Sequence, residues 1–419
     1  MAAIDSAKAR ALRGLDTLNF FVADVQTGFG PFIAVYLTER RWTQIDIGFA
    51  LSLGTITAMV SQVPAGLLVD AVRNKRAAVG FGLSAIIFSA LLFAVHPTVL
   101  SVYAAEIMHG FASCVLTPAI AALSLSLVGH AALGERLGRN ARFMAIGNGI
   151  AAGVMGVAGS YISAASVFWL TAALGLPALV ALTMMGSVDL EGAVERRSPL
   201  DWRAVRELVM DRRLTIFGGC VALFHLSNAA LLPIAAAEVT KTAGYLADII
   251  IAASIVVPQA VTASLSPWVG RRAQLLGRIS VMVIGWGALP VRAILMALLP
   301  GAWTLIGLQA ISGVSAAVFG VAMPLVAADL TRTNGRYNLC MGLLGLTVFV
   351  GATVSTSFAG WLATRFGVDY AFWGLAGAGL AGTLMVWFVM PETRDEDTGI
   401  NPAAALVPPD APAQGRRGW

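Results

Sequence analysis

Charge is scarce in this chain. Asp, Glu, Lys and Arg together make up only 12% of the 419 residues, whereas 58% of the residues are hydrophobic. A soluble protein of this length needs a larger polar fraction to cover its surface, so the composition excludes a water-soluble enzyme or binding module. The mean hydropathy of +0.78 and the many apolar windows of about 18 residues or more predict a polytopic all-α membrane protein.

Cysteine is scarce too, and one common transport motif is missing. The three cysteines, Cys114, Cys220 and Cys340, each lie alone in an apolar stretch, so their spacing predicts neither a disulfide framework nor a metal cluster. No G-x-x-x-x-G-K-[ST] sequence occurs, which disfavours ATP-driven transport. We therefore expect no metal and no cofactor.

The apolar stretches predict twelve transmembrane helices. The first six are expected at Leu18–Leu37, Ile47–Val69, Ala77–Val95, Val99–Val128, Phe143–Ile162 and Val167–Met185. The last six are expected at Leu214–Val239, Ala247–Val269, Ile279–Leu299, Trp303–Ala328, Leu339–Leu362 and Tyr370–Met390. The chain then divides into an N-terminal segment (1–17), a six-helix bundle (18–187), a polar linker (188–213), a second six-helix bundle (214–390) and a tail (391–419).

The linker and the tail differ from the bundles in composition. The linker contains "PLDWRAVRELVMDRR", in which Trp202, Val205, Leu208 and Val209 share one helical face. This pattern predicts a short amphipathic helix on the inner membrane surface. The tail is rich in Pro, Ala and charge, which is typical of a disordered segment.

Basic residues predict the orientation. With the N-terminus inside, the outer loops hold only Arg40, Arg41, Lys241 and Arg365, and the other basic residues of the loops fall on the cytoplasmic side. This asymmetry follows the positive-inside rule, and an even number of spans places both termini in the cytoplasm. It also explains the pI of about 9.4 without any nucleic acid as partner. We expect a monomer in the cell (inner) membrane.

The two halves of the sequence look like repeats. Pro31 corresponds to Pro233, Gly110 corresponds to Gly313, and "GRNARFM" from Gly138 corresponds to "GRYNLCM" from Gly335. All of these offsets are near 200 residues, as expected for two pseudo-symmetric six-helix bundles. Such repeats form a binding site at their interface near the middle of the membrane, and transport follows when one half rocks against the other.

The loop after the second span carries a family signature. The segment "GLLVDAVRNKRAAVG" resembles the G-x-L-a-D-r-x-G-r-k motif of the major facilitator superfamily: Gly66, Leu68, Asp70 and Lys75 match, and Ala71 and Arg73 depart from it. The resemblance implies two six-helix bundles. It also implies a latch on the cytoplasmic side formed by Gly66, Asp70, Lys75 and Arg76.

The fourth span carries an ionisable pair in an apolar stretch. Many members of the superfamily have l-x-x-x-R-x-x-q-G here, and alignment on Gly110 puts Glu106 at the arginine position and His109 at the glutamine position. The two residues share a helix face, with Glu106 about 10 Å deep. A carboxyl group there must pair, face water or stay protonated, so we interpret the pair as a proton-coupling site. A neutral hydrogen-bonded pair that only joins helices is the alternative.

Other polar residues lie in helices that line the cavity in this superfamily. We expect the substrate-binding residues to be Asp24, Gln26, His225, Asn228, Gln309 and Asn148. Asp24 is also a candidate for proton coupling, since a lone acid within a span is energetically costly and usually has a functional role. For the uncharged residues the alternative is helix–helix hydrogen bonding, and His225 could instead be a packing residue.

Two further features bear on substrate and direction. Arg292 is the only arginine predicted within the bilayer, and the resemblance puts its span in the outer ring, so we expect a structural brace. The glycines Gly149, Gly153 and Gly156 match part of the family's antiporter signature, but Val154 and Val157 depart from it. Close helix packing explains these glycines equally well.

These observations predict a secondary transporter that moves a small organic solute with protons, and not an enzyme. Efflux by antiport is favoured over the alternative, uptake by symport. Without an arginine in the expected cavity, a cationic or neutral solute is favoured. A membrane enzyme would need convergent catalytic groups, and a sensor would need a soluble signalling domain; neither is evident.

Overall fold

The computed structural model describes residues 2–27, 31–185, 201–242, 247–299 and 301–394, which are almost entirely helical. The N-terminal half contains α1 Ala2–Thr27, α2 Pro31–Glu39, α3 Gln44–Ala71, α4 Lys75–Val95, α5 Val99–Val128, α6 Leu133–Tyr161 and α7 Ser166–Met184. A linker helix, α8, covers Trp202–Val209. The C-terminal half contains α9 Arg212–Asn228, α10 Leu231–Thr242, α11 Ala247–Leu276, α12 Arg278–Leu298, α13 Ala302–Leu330, α14 Tyr337–Phe366 and α15 Val368–Phe388.

Ten stretches of the described helices are long and apolar enough to cross a membrane, and one of them, Arg212–Glu238, runs through α9 into α10. These ten coincide with ten of the twelve predicted spans. The other two predicted spans fall on α1 with α2 and on α11, which are helical but include or adjoin residues outside the described part of the chain. The structure therefore shows a multi-pass helical protein, while the count of twelve stays a prediction.

Two helices begin well before the predicted spans and include polar turns. The helix α6 begins at Leu133, ten residues before the predicted span, and its polar start includes the buried residues Arg136 and Asn140. The helix α1 begins at Ala2, within the predicted N-terminal segment 1–17, and buries Leu15 completely. An apolar-run criterion misses such turns because their polar side chains are paired inside the protein.

Each half of the chain forms its own helical bundle. In the N-terminal half, α1 packs on α6 and α7, and α5 packs on α3 and α4; in the C-terminal half, α9 packs on α14 and α15, and α13 packs on α11 and α12. The halves meet where α3 packs on α14 and where α6 packs on α11 and α13. The interface between the halves is thus formed mainly by α3 with α14 and by α6 with α11 and α13.

The packing repeats between the halves at equivalent glycines. A Cβ built on Gly110 of α5 would lie 2.7 Å from the carbonyl oxygen of Gly54 on α3. A Cβ built on Gly313 of α13 would lie 2.7 Å from the carbonyl oxygen of Pro258 on α11. Small residues allow helix backbones to approach this closely inside a membrane. The repeat proposed from sequence therefore has a counterpart in helix contacts.

The linker helix packs on the C-terminal half. Asp201 caps α8 by accepting hydrogen bonds from the backbone N–H groups of Arg203 and Ala204, and its other oxygen pairs with Arg336 Nη2 at 2.5 Å. The N–H of Ala204 holds the pKa of Asp201 below its usual value, and Arg336 adds to this effect. The predicted apolar face of the helix divides: Leu208 is buried, whereas Trp202 and Val209 are exposed.

The rest of the polar linker and the tail beyond Arg394 lie outside the described residues. The predictions for them, including disorder of the tail, stay predictions.

Candidate functional site

One end of the bundle carries the loops between α3 and α4, α5 and α6, α11 and α12, and α13 and α14, and we call it the basic-loop end. Here Asp70, at the end of α3, crosses to the other half and caps the start of α14. It accepts hydrogen bonds from the backbone N–H groups of Asn338 at 3.0 Å and Leu339 at 2.9 Å, and from Asn338 Nδ2 at 2.7 Å. A carboxylate at a helix N-terminus satisfies free N–H groups and interacts favourably with the helix dipole.

Glycines bring α3 and α14 close enough for this contact. A Cβ built on Gly66 would lie 2.4 Å from the carbonyl oxygen of Asn338, and one built on Gly342 would lie 2.3 Å from that of Gln62. The motif around Gly66 and Asp70 does not indicate their partners Asn338, Leu339 and Gln62, because no local pattern links residues some 270 positions apart.

Lys75 and Arg76, the other predicted latch residues, lie at the turn between α3 and α4. Lys75 donates hydrogen bonds from Nζ to the carbonyl oxygens of Val69, Asp70 and Val72, and so caps the end of α3. The backbone N–H of Arg76 binds Asn74 Oδ1 at the start of α4. Both residues therefore shape the tight turn that carries Asp70.

The second contact between the halves at this end lacks an acid. Gln274 of α11 donates from Nε2 to the carbonyl oxygens of His130 and Ala131, just before α6. A Cβ built on Gly270 would lie 2.2 Å from the carbonyl oxygen of Gly134. Among the described residues, the hydrogen bonds between the halves are those of Gln274 and Asp70, and both lie at the basic-loop end.

Each half also has a buried ion cluster at this end, which sequence reasoning missed. Asp16 of α1 binds Arg136 Nη2 at 2.5 Å and Arg139 Nη2 at 2.6 Å on α6. In the C-terminal half, Arg278 binds both oxygens of Asp329 at 2.9 and 3.1 Å. The available sequence signal was the presence of acids within otherwise apolar helices.

Glu106 lies in a narrow slot between α5 and α3. The residue is only 4% exposed, and a Cβ built on Gly54 of α3 would lie 2.0 Å from Glu106 Oε2. Its other oxygen, Oε1, is buried and has no hydrogen-bond partner among the described residues. A glycine thus provides the space for a carboxyl group that no described cation neutralises.

His109 lies three residues after Glu106 on the same helix. The ring nitrogen Nε2 of His109 lies 3.4 Å from Ser113 Oγ, one turn further along α5. The proton-coupling role of the pair and the alternative, in which the pair only joins helices, both stay predictions.

The C-terminal half contains a polar cavity of about 300 Å³. Arg292 of α12 lines it and donates from Nη1 to Asn228 Oδ1 on α9 and to Ser312 Oγ on α13, both at 2.9 Å. Gln309, one helical turn before Ser312, lines the same cavity. The expectation that the cavity lacks an arginine is wrong, because the long side chain reaches between α9 and α13.

The other predicted substrate residues fall in different places. Asn228 and Gln309 line the cavity with Arg292. His225 instead packs its ring on Phe224 and Phe319, with centroids 5.3 and 4.8 Å apart, and does not line that cavity.

Asn148 is half-buried on α6. Its neighbour Gly149 faces Gln259 of α11, at 3.7 Å from a built Cβ to the Cβ of Gln259. Asp24 and Gln26 lie near the end of α1, at positions whose side chains are outside the described part of the chain.

Two glycines of the run on α6 make no close contact with described residues of other helices. A Cβ built on Gly153 or on Gly156 meets no described atom within 4 Å. These glycines lie toward the end of α6 that is remote from the basic loops.

Comparison with known proteins agrees with this architecture. A sequence model of the Major Facilitator Superfamily matches residues 15–257 and 217–416. An uncharacterized MFS-type transporter from Mycobacterium tuberculosis, found in strains CDC 1551 / Oshkosh and ATCC 25618 / H37Rv, is 33% identical over 406 residues, which are 95% of this chain and 97% of that protein.

Two solved structures share the fold at low identity. The human organic anion transporter MFSD10 (TETRAN) has a TM-score of 0.72 and 12% identity, with 90% of this chain and 99% of that chain covered. The proton:xylose symporter XylE, bound to 6-bromo-6-deoxy-D-glucose, has a TM-score of 0.71 and 14% identity, with 93% and 97% covered. The chain therefore belongs to the Major Facilitator Superfamily, and it is a multi-pass membrane transporter and not an enzyme.

Proposed function

We propose that this protein is a secondary active transporter that moves a small organic solute across the cytoplasmic membrane by alternating access, with protons as the coupling ion. It works as a monomer of twelve spans with both termini in the cytoplasm. Direct support for alternating access is the position of the contacts between the halves. Those of Asp70 and Gln274 lie at the basic-loop end, and with the proposed orientation we interpret this as a state closed toward the cytoplasm.

The observation that carries proton coupling is the environment of Glu106. Its carboxyl group is buried beside Gly54, and Oε1 has no described partner. An unpaired charge in the membrane interior is costly, so the closed state favours the protonated, neutral form. Opening of the basic-loop end would change the access of water to this group and allow proton release, which is the step that couples the two fluxes.

The remaining predicted residues have supporting roles in this proposal. Asp24, Gln26, Asn148, Asn228 and Gln309 contact the solute from both halves, while His109 adjusts proton transfer at Glu106. His225 is proposed as a solute contact only in a conformation in which its ring leaves the aromatic cluster. Gly66, Asp70, Lys75 and Arg76 control the cytoplasmic end.

We propose efflux by proton antiport. The support is the glycine series on α6, since Gly153 and Gly156 meet no described atom here and leave space for α6 to pack differently when the outer end closes. The low identities of 12% and 14% to the structural neighbours mean that their fold is informative and their substrates are not. Proton symport is the alternative.

The test is solute flux in proteoliposomes of known protein orientation. A panel of organic anions, cations and neutral solutes is measured with no pH gradient and with gradients of either sign, against protein-free liposomes. Antiport predicts accumulation toward the more acidic compartment, and symport predicts accumulation toward the more alkaline one. Transport with the same steady state under all three conditions would contradict proton coupling.

A further inference from the structure

Arg292 is the most deeply buried cation in the cavity of the C-terminal half. The residue is 1% exposed, and the cavity that it lines is formed by α9, α10, α11, α12 and α13. Gln259 of α11 also lines this cavity, and its Cβ lies 3.7 Å from a Cβ built on Gly149 of the other half. The cavity therefore adjoins the interface between the halves, where a transported solute would bind.

The hydrogen bonds of this cavity leave donors in excess. Nη1 of Arg292 uses the two nearest acceptors, Asn228 Oδ1 and Ser312 Oγ. Nε of Arg292 and Nε2 of Gln309 are both buried without a partner among the described residues. A guanidinium group offers five N–H donors in a planar fork, so a helix brace explains only part of this arrangement. The unsatisfied groups need a ligand that supplies acceptors.

The charge of the cavity is also uncompensated. Within the described part of the chain, no carboxylate lies within 4.0 Å of the Arg292 guanidinium, whereas the buried residues Arg136 and Arg278 are paired with Asp16 and Asp329. An arginine in a transmembrane segment is costly and is normally paired or placed at a functional site. The missing counter-charge therefore points to an anionic ligand that is not part of the protein chain.

We infer that this cavity is a binding site for a small organic carboxylate, which deepens the proposed function and rests on it. Arg292 and Gln309 donate hydrogen bonds to the two carboxylate oxygens, and Leu232, Ile255 and Pro258 line the space for an apolar portion. Planar bidentate recognition of a carboxylate is the geometry in which arginine is most effective. A volume of about 300 Å³ is at the lower end of the range for ligand pockets, which favours a compact monoanion.

Binding can be measured on the purified full-length protein without any transport. The probes are matched sets that differ only in charge: benzoate, benzamide and benzylamine, and hexanoate, hexanamide and hexylamine, together with inorganic phosphate. A ligand that binds the folded state raises its apparent melting temperature with concentration. We expect the two carboxylates to stabilise the protein and the amides, amines and phosphate to have no comparable effect.

Two variants and one control locate the site. Arg292→Gln should weaken carboxylate binding by about 10- to 100-fold, the loss expected for a charge-assisted hydrogen-bonded contact. Gln309→Glu places an internal carboxylate beside Arg292, so it should abolish carboxylate binding while raising the melting temperature of the ligand-free protein. Arg365→Gln removes an exposed arginine from the end of α14 and should leave binding unchanged.

The outcomes separate this inference from the proposed function. Carboxylate binding that is lost in both cavity variants and retained in Arg365→Gln supports the site, whether or not the solute panel shows flux. Failure of both carboxylates to stabilise the wild type, equal stabilisation by phosphate, or unchanged binding in Gln309→Glu would overturn the inference. Flux of a cation or a neutral solute together with such a failure would leave the transporter proposal intact.

Discussion

The two halves of the molecule are alike at the basic-loop end and opposite in their interiors. At the basic-loop end each half buries an acid against arginine: Asp16 with Arg136 and Arg139, and Asp329 with Arg278. Deeper in the bundle, the N-terminal half holds an acid, Glu106, and the C-terminal half holds a base, Arg292. Each of these two carries a buried atom that has no partner among the described residues.

We interpret this contrast as a separation of what the fold needs from what transport needs. In the paired clusters each buried charge has a partner of opposite sign. The two interior groups are left incomplete by the described residues, and in the proposed mechanism Glu106 binds a proton and Arg292 binds an anionic solute.

The largest expected effect concerns the paired clusters. Asp16→Asn leaves the buried Arg136 and the exposed Arg139 without their counter-charge, and loss of one partner from a buried ion pair costs about 3 kcal/mol or more. Asp329→Asn should destabilise the C-terminal half in the same way. We expect both variants to lower the apparent melting temperature in detergent, as measured by thermal unfolding. Wild-type stability in either variant would show that the two clusters are not equivalent.

The next effect concerns Asp70, which is the charged group at the interface of α3 with α14; the interface of α6 with α11 has Gln274 instead. Asp70→Asn weakens the hydrogen bonds to the N-terminus of α14. The contact of Gln274, at the same end of the molecule, involves an uncharged side chain. Since a hydrogen bond to a charged group contributes about 1.5–3 kcal/mol, we expect transport to fall roughly tenfold or more in a folded protein. Flux in proteoliposomes at equal protein content is the measurement.

The control for this variant is Asp369→Asn, the same chemical change at an exposed acid in the first turn of α15. Accessibility of cysteines introduced at each end should also shift toward the cytoplasm-open state in Asp70→Asn. Equal flux in both variants would remove Asp70 from the latch.

A smaller effect is expected from the slot that holds Glu106. Gly54→Ala introduces a Cβ that would lie 2.0 Å from Oε2, so the carboxyl group must move while its chemistry is unchanged. Because a displaced group transfers protons less effectively, we expect pH-driven flux to fall by roughly threefold. Gly48→Ala, on the same helix but with no described atom within 4 Å of its Cβ, is the matched control. Equal flux in the two variants would show that the position of Glu106 is not critical.

The sequence predicted much of the fold because membrane spans are read from apolar length, which is a local property. Ten predicted spans coincide with observed helices, and the pairing of Gly110 with Gly313 has a structural counterpart in helix packing. The start of α6 was misplaced because Arg136 is paired with a residue 120 positions away. A local criterion of apolarity does not detect such a partner.

The interior of the site was harder to predict, for a physical reason. Helices that are apolar on every side carry no amphipathic signal, so their sequences do not reveal which face points into a cavity. The family resemblance put the span of Arg292 in the outer ring, although its long side chain reaches Asn228 and Ser312. His225 was placed in the cavity by its position along the chain, whereas its ring packs on Phe319.

The most direct test of the division of tasks is the number of protons that move with each solute molecule. Proton and solute fluxes are measured together in proteoliposomes for the wild type, Glu106→Gln and Arg292→Gln. Glu207→Gln, at an exposed acid of α8, is the control. The solute is the carboxylate that stabilises the protein most strongly.

We expect Glu106→Gln to retain solute exchange while proton flux with the solute disappears, because the amide fixes the neutral form of that side chain. Arg292→Gln should lose solute flux and, with it, the coupled proton flux, whereas Glu207→Gln should behave as the wild type. If Glu106→Gln still moves protons with solute at the wild-type ratio, Glu106 is not the coupling group and the contrast between the halves does not describe the mechanism.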